Sequence, residues 1–311
     1  MESLWSWAGF VLLILFLLIL DLGVFHRKAR EISVRNALWW TAFWVTLAFI
    51  FNGFIYYTYG QDKAFEFFTG FLIEKSLSVD NIFVIILIFS YFQVPAAYQH
   101  KVLFWGILGA LIMRFCFIYA GIELIQQFHF LIYLFGAFLI ITGIRMIIHR
   151  GEHFEPERNP VVRFTKKWFR LTPHYDKDNF FVIRNGLLYA TPLLLVVVLI
   201  EFTDLIFAVD SIPAILAVSK DPFIVYTSNV FAILGLRSLY FALAGIERYF
   251  AYLKYGLAVI LVFVGIKMSI SDLIIIPIEI SLAFIVLTLS VAVLASMVLQ
   301  PASNPGKPTI Q

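Results

Sequence analysis

Apolar stretches of bilayer length follow one another along almost the whole chain, separated by short polar turns and one long basic segment. A helix needs roughly 20 apolar residues to cross the hydrocarbon layer. Nine stretches have that length, at about residues 5–25, 37–57, 65–92, 102–123, 130–148, 187–218, 223–244, 251–271 and 279–299. The expected fold class is all-α, a polytopic transmembrane helical bundle of about nine spans. The first stretch is too long for a signal-peptide core and has Glu2 where a basic leader would stand. No small-residue cleavage site follows it, so it counts as a mature span.

Composition sharpens this picture by exclusion. The chain is 61% hydrophobic and 14% charged, where a soluble protein is nearer half apolar and about a quarter charged. Its mean hydropathy is +0.91. A soluble enzyme, a disordered chain, a collagen-like fibre and a disulfide scaffold are all excluded. One cysteine, Cys116, allows neither an intramolecular disulfide nor a Cys-based zinc site; deep in the fourth stretch, it reads as a packing residue.

The basic residues set an orientation. With the N-terminus outside, 17 of the 23 Lys and Arg fall on the inside, against only Lys63 and Lys220 outside. Such a bias orients a polytopic protein N-out and C-in. The segment 149–186 interleaves basic and aromatic residues, as in Lys166-Lys167-Trp168-Phe169-Arg170. It reads as a cytoplasmic linker whose charges face anionic headgroups of the lipid bilayer, with no nucleic-acid partner and no folded module.

Two stretches share a pattern. Glu74-Lys-Ser-Leu-Ser-Val-Asp80-Asn81-Ile82 is echoed by Asp204-Leu-Ile-Phe-Ala-Val-Asp210-Ser211-Ile212. Further on, Gly121-Ile122-Glu123 is echoed by Gly245-Ile246-Glu247, and Gly143-Ile-Arg-Met146 by Gly265-Ile-Lys-Met268. The echoes keep their order, so 65–148 and 187–271 read as two copies of a three-helix unit within a single transmembrane domain, 1–311. Three spans is an odd number, so the copies insert in opposite senses. That is the inverted-repeat plan of many secondary transporters, which bind their substrate near the midplane.

Five acids lie within the third and sixth stretches: Glu74, Asp80, Glu201, Asp204 and Asp210. One acid at membrane depth costs about 2.5–3.5 kcal/mol on insertion scales, so partners are required. At 100° per residue Glu74, Ser78 and Asn81 share a stripe, as do Glu201, Asp204 and Ser211. Asp80 and Asp210 fall to one side, so a shared site calls for local unwinding, expected in the sixth stretch at Pro213. The candidate ligand set is Glu74, Asp80, Asn81, Glu201, Asp204, Asp210 and Ser211, all hard oxygen donors. The six histidines map to loops or span ends. Such donors suit Mg²⁺, Ca²⁺ or Mn²⁺ and argue against Cu(I).

Lys75, Arg114 and Arg237 are the expected charge partners. Three cations against five acids leave two negative charges, the amount one divalent ion neutralises. Protonatable carboxylates also make protons candidate counter-ions. Asp21, beside His26 and Arg27, is either an interfacial salt bridge or a cytoplasmic intake point for cations. Asn52, Thr227, Ser228 and Asn229 are expected to hydrogen-bond between helices; Glu123 and Glu247 are expected to be solvated. No catalytic triad, phosphate-binding glycine loop or metalloprotease helix is present, so the chain is not expected to be an enzyme, and no permanently bound cofactor is expected.

The two acidic motifs and Thr227-Ser-Asn-Val-Phe-Ala-Ile-Leu-Gly-Leu-Arg237 resemble the TerC family of bacterial membrane proteins, particularly its Alx-like members. The resemblance runs from about Leu20 to Leu299. It implies a plasma-membrane manganese exporter within the LysE-type superfamily of transporters, with the intramembrane acids as its functional residues. The family name refers to tellurite resistance, yet an anionic, oxygen-lined site suits an oxyanion poorly. Manganese as the particular metal comes from the resemblance; the residues themselves support a hard divalent cation. The rival expectation is a non-transporting membrane scaffold, or a stress- or pH-responsive component of a metal or tellurite resistance complex.

Overall fold

A computed structural model describes residues 4–25, 34–128, 130–148, 162, 167–184, 186–243, 252–274 and 276–298. The side chains of residues 4, 21–25, 34, 80, 83 and 210 lie outside this description, as do the tail beyond 298 and most of 149–166. All nine expected stretches carry helix: α1 (Leu4–Phe25), α2 (Val34–Tyr59), α3 (Gln61–Tyr91), α4 (Ala96–Gln127), α5 (Leu131–Ile148), α6 (Pro192–Leu216), α7 (Pro222–Ile233), α8 (Leu236–Leu243), α9 (Leu253–Ser269) and α10 (Ile278–Val298). Six are long and apolar enough to cross a membrane: α2, α4, α5, α6, the α7–α8 pair and α10. The fold is all-α and polytopic.

Two expectations are corrected. The sixth stretch does not open at Pro213: α6 runs unbroken through it to Leu216. Pro213 sits in the last turn, where Ala217 N–H already closes onto its carbonyl at 3.0 Å, so the helix is ending there anyway. The break falls instead in the seventh stretch. Leu234 turns extended at φ −56°, ψ 132°, and Gly235 adopts φ 82°. A side chain at 235 would be strained by that backbone and would meet the Trp44 ring at 2.7 Å. Glycine alone fits, and the rod splits into α7 and α8.

The second correction concerns the linker boundary. Residues 187–190 are not helix but β2 (Leu187–Ala190), paired antiparallel with β1 (Phe181–Arg184), Phe181 opposite Ala190. Leu171 adds a parallel bridge to Ala190. The run Leu187-Leu188-Tyr189-Ala190 is apolar but precedes Pro192, which fixes the first turn of α6. The hairpin docks on the bundle end. Tyr175 Oη donates to the Phe92 carbonyl at 2.8 Å, and its burial pushes the phenol up to about 12. Lys101 Nζ reaches the Asp178 carboxylate at 3.1 Å.

The packing order places the interior. Helix α3 lies against α7, α4 against α6, α5 against α9, and α3 against α6. The α5–α9 seam is built from small residues. A Cβ on Gly136 would lie 2.8 Å from the Gly265 carbonyl, and one on Gly143 would lie 2.7 Å from that of Ala258. Backbones this close gain van der Waals contact that larger side chains would forbid. Helices α1 and α2 add an aromatic wall, with Phe51 and Phe231 rings 4.7 Å apart.

Candidate functional site

The polar centre lies where α3, α4, α6 and α7 meet. On α3 the expected stripe holds: Glu74, Ser78 and Asn81 are all buried. From α4, Arg114 enters with 1% of its surface exposed.

Arg114 joins acids from both halves of the chain. Its Nη1 donates to Glu74 Oε1 in a very close ion pair and to Asn229 Oδ1 at 3.3 Å. Nη2 donates to Asp204 Oδ1 at 3.0 Å and Nε to Asp204 Oδ2 at 3.3 Å, a forked two-point contact. Asn229 Nδ2 donates to Glu74 Oε2 at 3.1 Å, and Asn81 Nδ2 to Asp204 Oδ1 at 3.1 Å. Five side chains from four helices thus form one network.

Beside it lies a small cavity walled by α3, α4, α6 and α8, with Asn81, Thr203 and Asp204 as its polar groups and Ile85, Phe207 and Tyr240 among its apolar ones. Its volume of ≈ 40 Å³ has room for a few waters. Glu201, one turn before Asp204, lies against α4 at Gly109: its carboxylate fills the space a Cβ there would need. Five buried oxygens of α3 and α6 have no hydrogen-bond partner among the described residues: Thr69 Oγ1, Ser78 Oγ, Asn81 Oδ1, Glu201 Oε2 and Ser211 Oγ. A buried acceptor without a donor costs about 1–3 kcal/mol, and Asn81, which lines the cavity, is placed to offer its Oδ1 to water or a cation there.

Not every expected charge partner pairs with an acid. Lys75 turns away from Glu74 and donates to the Ala232 carbonyl at 3.1 Å. It caps the end of α7 at the break, where a helix presents its negative pole. Neighbours in sequence point about 100° apart on a helix, so adjacency to Glu74 did not make Lys75 its partner. Arg237 is buried in the first turn of α8. Asp80 and Asp210 lie in α3 and α6, and Asp21 in α1, with side chains outside the described residues. Glu123 is exposed as expected and accepts from Gln127 at 2.8 Å; Glu247 lies outside the description. Among the described residues no three His, Cys, Asp or Glu side chains stand close enough to cage a metal unaided.

Asn229 hydrogen-bonds between helices as expected, and it does so at the centre of the site, bridging Glu74 and Arg114. A second charged cluster, unanticipated, closes one end of the bundle. Lys63 on α3 contacts Glu66 at 2.9 Å and Asp221 at 3.3 Å. Ser219 donates to Glu66 at 2.5 Å, and Asp221 caps α7 by accepting from Phe223 N at 3.1 Å.

Residues 59–304 match the family described as "Integral membrane protein TerC family". An uncharacterized membrane protein of Myxococcus xanthus is 49% identical over 98% of this chain and 96% of its own length. The Escherichia coli (strain K12) protein named "Putative membrane-bound redox modulator Alx" is 49% identical over 90% of both chains. A membrane protein of Rickettsia bellii is 46% identical over 94% of this chain and 97% of its own. No solved structure matches. With the match spanning the acidic helices α3 and α6, Arg114 and the broken α7–α8 rod, this chain belongs to the TerC family of integral membrane proteins.

Proposed function

We propose that the chain is a secondary transporter exporting a divalent cation, specifically Mn²⁺, from the bacterial cytoplasm, with protons as counter-ions. The carrying observation is the centre itself: Asp204 and Asn81 line a small cavity, and Asn81 Oδ1 is buried with no hydrogen-bond partner among the described residues. Hard oxygen donors from α3 and α6 suit a hard cation that keeps some of its water. The reading assigns Asp204, Asn81 and Glu74 to the ion, Glu201 to the surrounding negative charge, and Asp80, Asp210 and Ser211 to the same path. The choice of manganese rests on the family resemblance.

The contact pattern supports an inverted repeat. Exchanging α3–α4–α5 with α6–(α7–α8)–α9 turns the α3–α7 contact into α6–α4 and returns α5–α9 to itself. By the Gly143–Gly265 correspondence, Gly136 matches Ala258, and the approach of Gly136 to Gly265 becomes that of Ala258 to Gly143, as found. A helix broken beside the site is a recurring feature of transporters built this way. Orientation, N-terminus out, rests on the placement of the basic residues.

The second reading, a non-transporting membrane component, draws on Arg114, which already satisfies Glu74 and Asp204. The redox role in the name of the Escherichia coli relative would fall, in this chain, to one thiol, Cys116, or to the effects of a redox-active cargo metal. Mn²⁺ flux into proteoliposomes, with and without a pH gradient, separates the readings. Transport predicts uptake by the wild type and at least a tenfold loss in Asp204→Asn, by the scale of one charge-assisted contact of about 1.5–3 kcal/mol. No uptake by a folded wild type sinks the transport reading.

A further inference from the structure

Resting on the transport reading, the next question is what holds the two acids when no ion is there. Glu74 comes from α3 and Asp204 from α6, and both meet the guanidinium of Arg114. Three of its nitrogens donate to these carboxylates, to Glu74 Oε1 and to both oxygens of Asp204. Those oxygens are the strongest hard donors in the described part of the centre. A guanidinium seated between the two carboxylates and a metal ion arriving there compete for the same negative charge and the same lone pairs.

We infer that Arg114 is a tethered competitor, the chain's own cation, which occupies the seat in the absence of substrate and which the arriving ion must displace. Glu74 and Asp204 bring two negative charges and Arg114 one positive. A monovalent ion taking its place would supply the same single charge without the forked hydrogen bonds, and so gains nothing. A divalent ion neutralises the pair outright. Arg114 thereby selects by charge and keeps the acids from sitting bare between transport events.

The displaced guanidinium has somewhere to go. Glu201 stands one turn before Asp204 and lies against α4 at Gly109, on the N-terminal side of Arg114, the direction in which helical side chains generally lean. Its buried Oε2 has no donor among the described residues. Asn229, bonded to both Arg114 and Glu74, can keep hold of either through the exchange. Asn81 stays on Asp204 throughout. Only the arginine needs to move.

The test is Mn²⁺ binding to the full chain purified in detergent, read as free Mn²⁺ by electron paramagnetic resonance and as thermal stabilisation, for the wild type, Arg114→Gln and Arg114→Lys. Arg114→Gln should bind Mn²⁺ at least about tenfold more tightly, and Na⁺ should compete in it but not in the wild type. Arg114→Lys keeps the charge but loses the fork, so its gain should be smaller, about threefold. It also stands as the test if the glutamine variant does not fold. Binding equal to or weaker than wild type in the variants overturns the inference, as does absence of Mn²⁺ binding from all three proteins. Tighter binding by the variants together with no flux by the wild type removes the transport reading and leaves the competitor intact.

Discussion

The α5–α9 seam and the Arg114 centre are both buried helix contacts, yet they are held by opposite means. At the seam, backbones touch through Gly136, Gly143 and Gly265, with no charge involved. At the centre, one guanidinium, two carboxylates and two amides are tied by directional bonds. Dispersion contacts between close backbones tolerate almost no change of shape. A charged network tolerates exchange of one cation for another, provided its acids stay neutralised. The seam therefore reads as the fixed part and the centre as the part that can change partners.

The sharpest way to break this comparison is to put bulk into the seam. Gly265→Leu forces a side chain onto the Gly136 carbonyl, 2.6 Å from the new Cβ. It should cost about 3 kcal/mol or more, seen as lost expression or a collapsed melting temperature in detergent. Next comes the break: Gly235→Ala meets both a left-handed backbone and the Trp44 ring. A loss of about 1–2 kcal/mol is expected, with reduced Mn²⁺ flux exceeding any loss of folded protein. Smallest is Lys63→Met at the bundle end. Its ion pairs with Glu66 and Asp221 are a third exposed on the lysine side, so melting should shift by less than about 1 kcal/mol in stability. A seam variant that melts like wild type would erase the distinction.

Much of the fold was legible because bilayer length and apolar run length are the same measurement. Each of the nine stretches carries helix, and the stripe Glu74–Ser78–Asn81 is buried as helical geometry requires. The break was misplaced for a physical reason. Pro213 announces itself in sequence but stands in a terminal turn, whereas Gly235 is one glycine among seventeen until Trp44 is known to press on it. Burial of Arg114 with the acids followed from cost; the partner of Lys75 did not, because it is a main-chain carbonyl freed by that break. The hairpin over 181–190 was hidden by a run as apolar as the helix that follows it.

Arg114 and Glu74 precede the basic linker in the chain; Asp204 and Asn229 follow it. Neither portion synthesised by itself has a complete network: the first would hold an arginine and an acid without their amide clasp, the second an aspartate without its Arg114 partner. The ribosome delivers the earlier portion to the lipid well before the later one exists. Assembly of this protein must then include a waiting interval, during which half a charge network is shielded by water, lipid phosphate or a helper until its complement arrives.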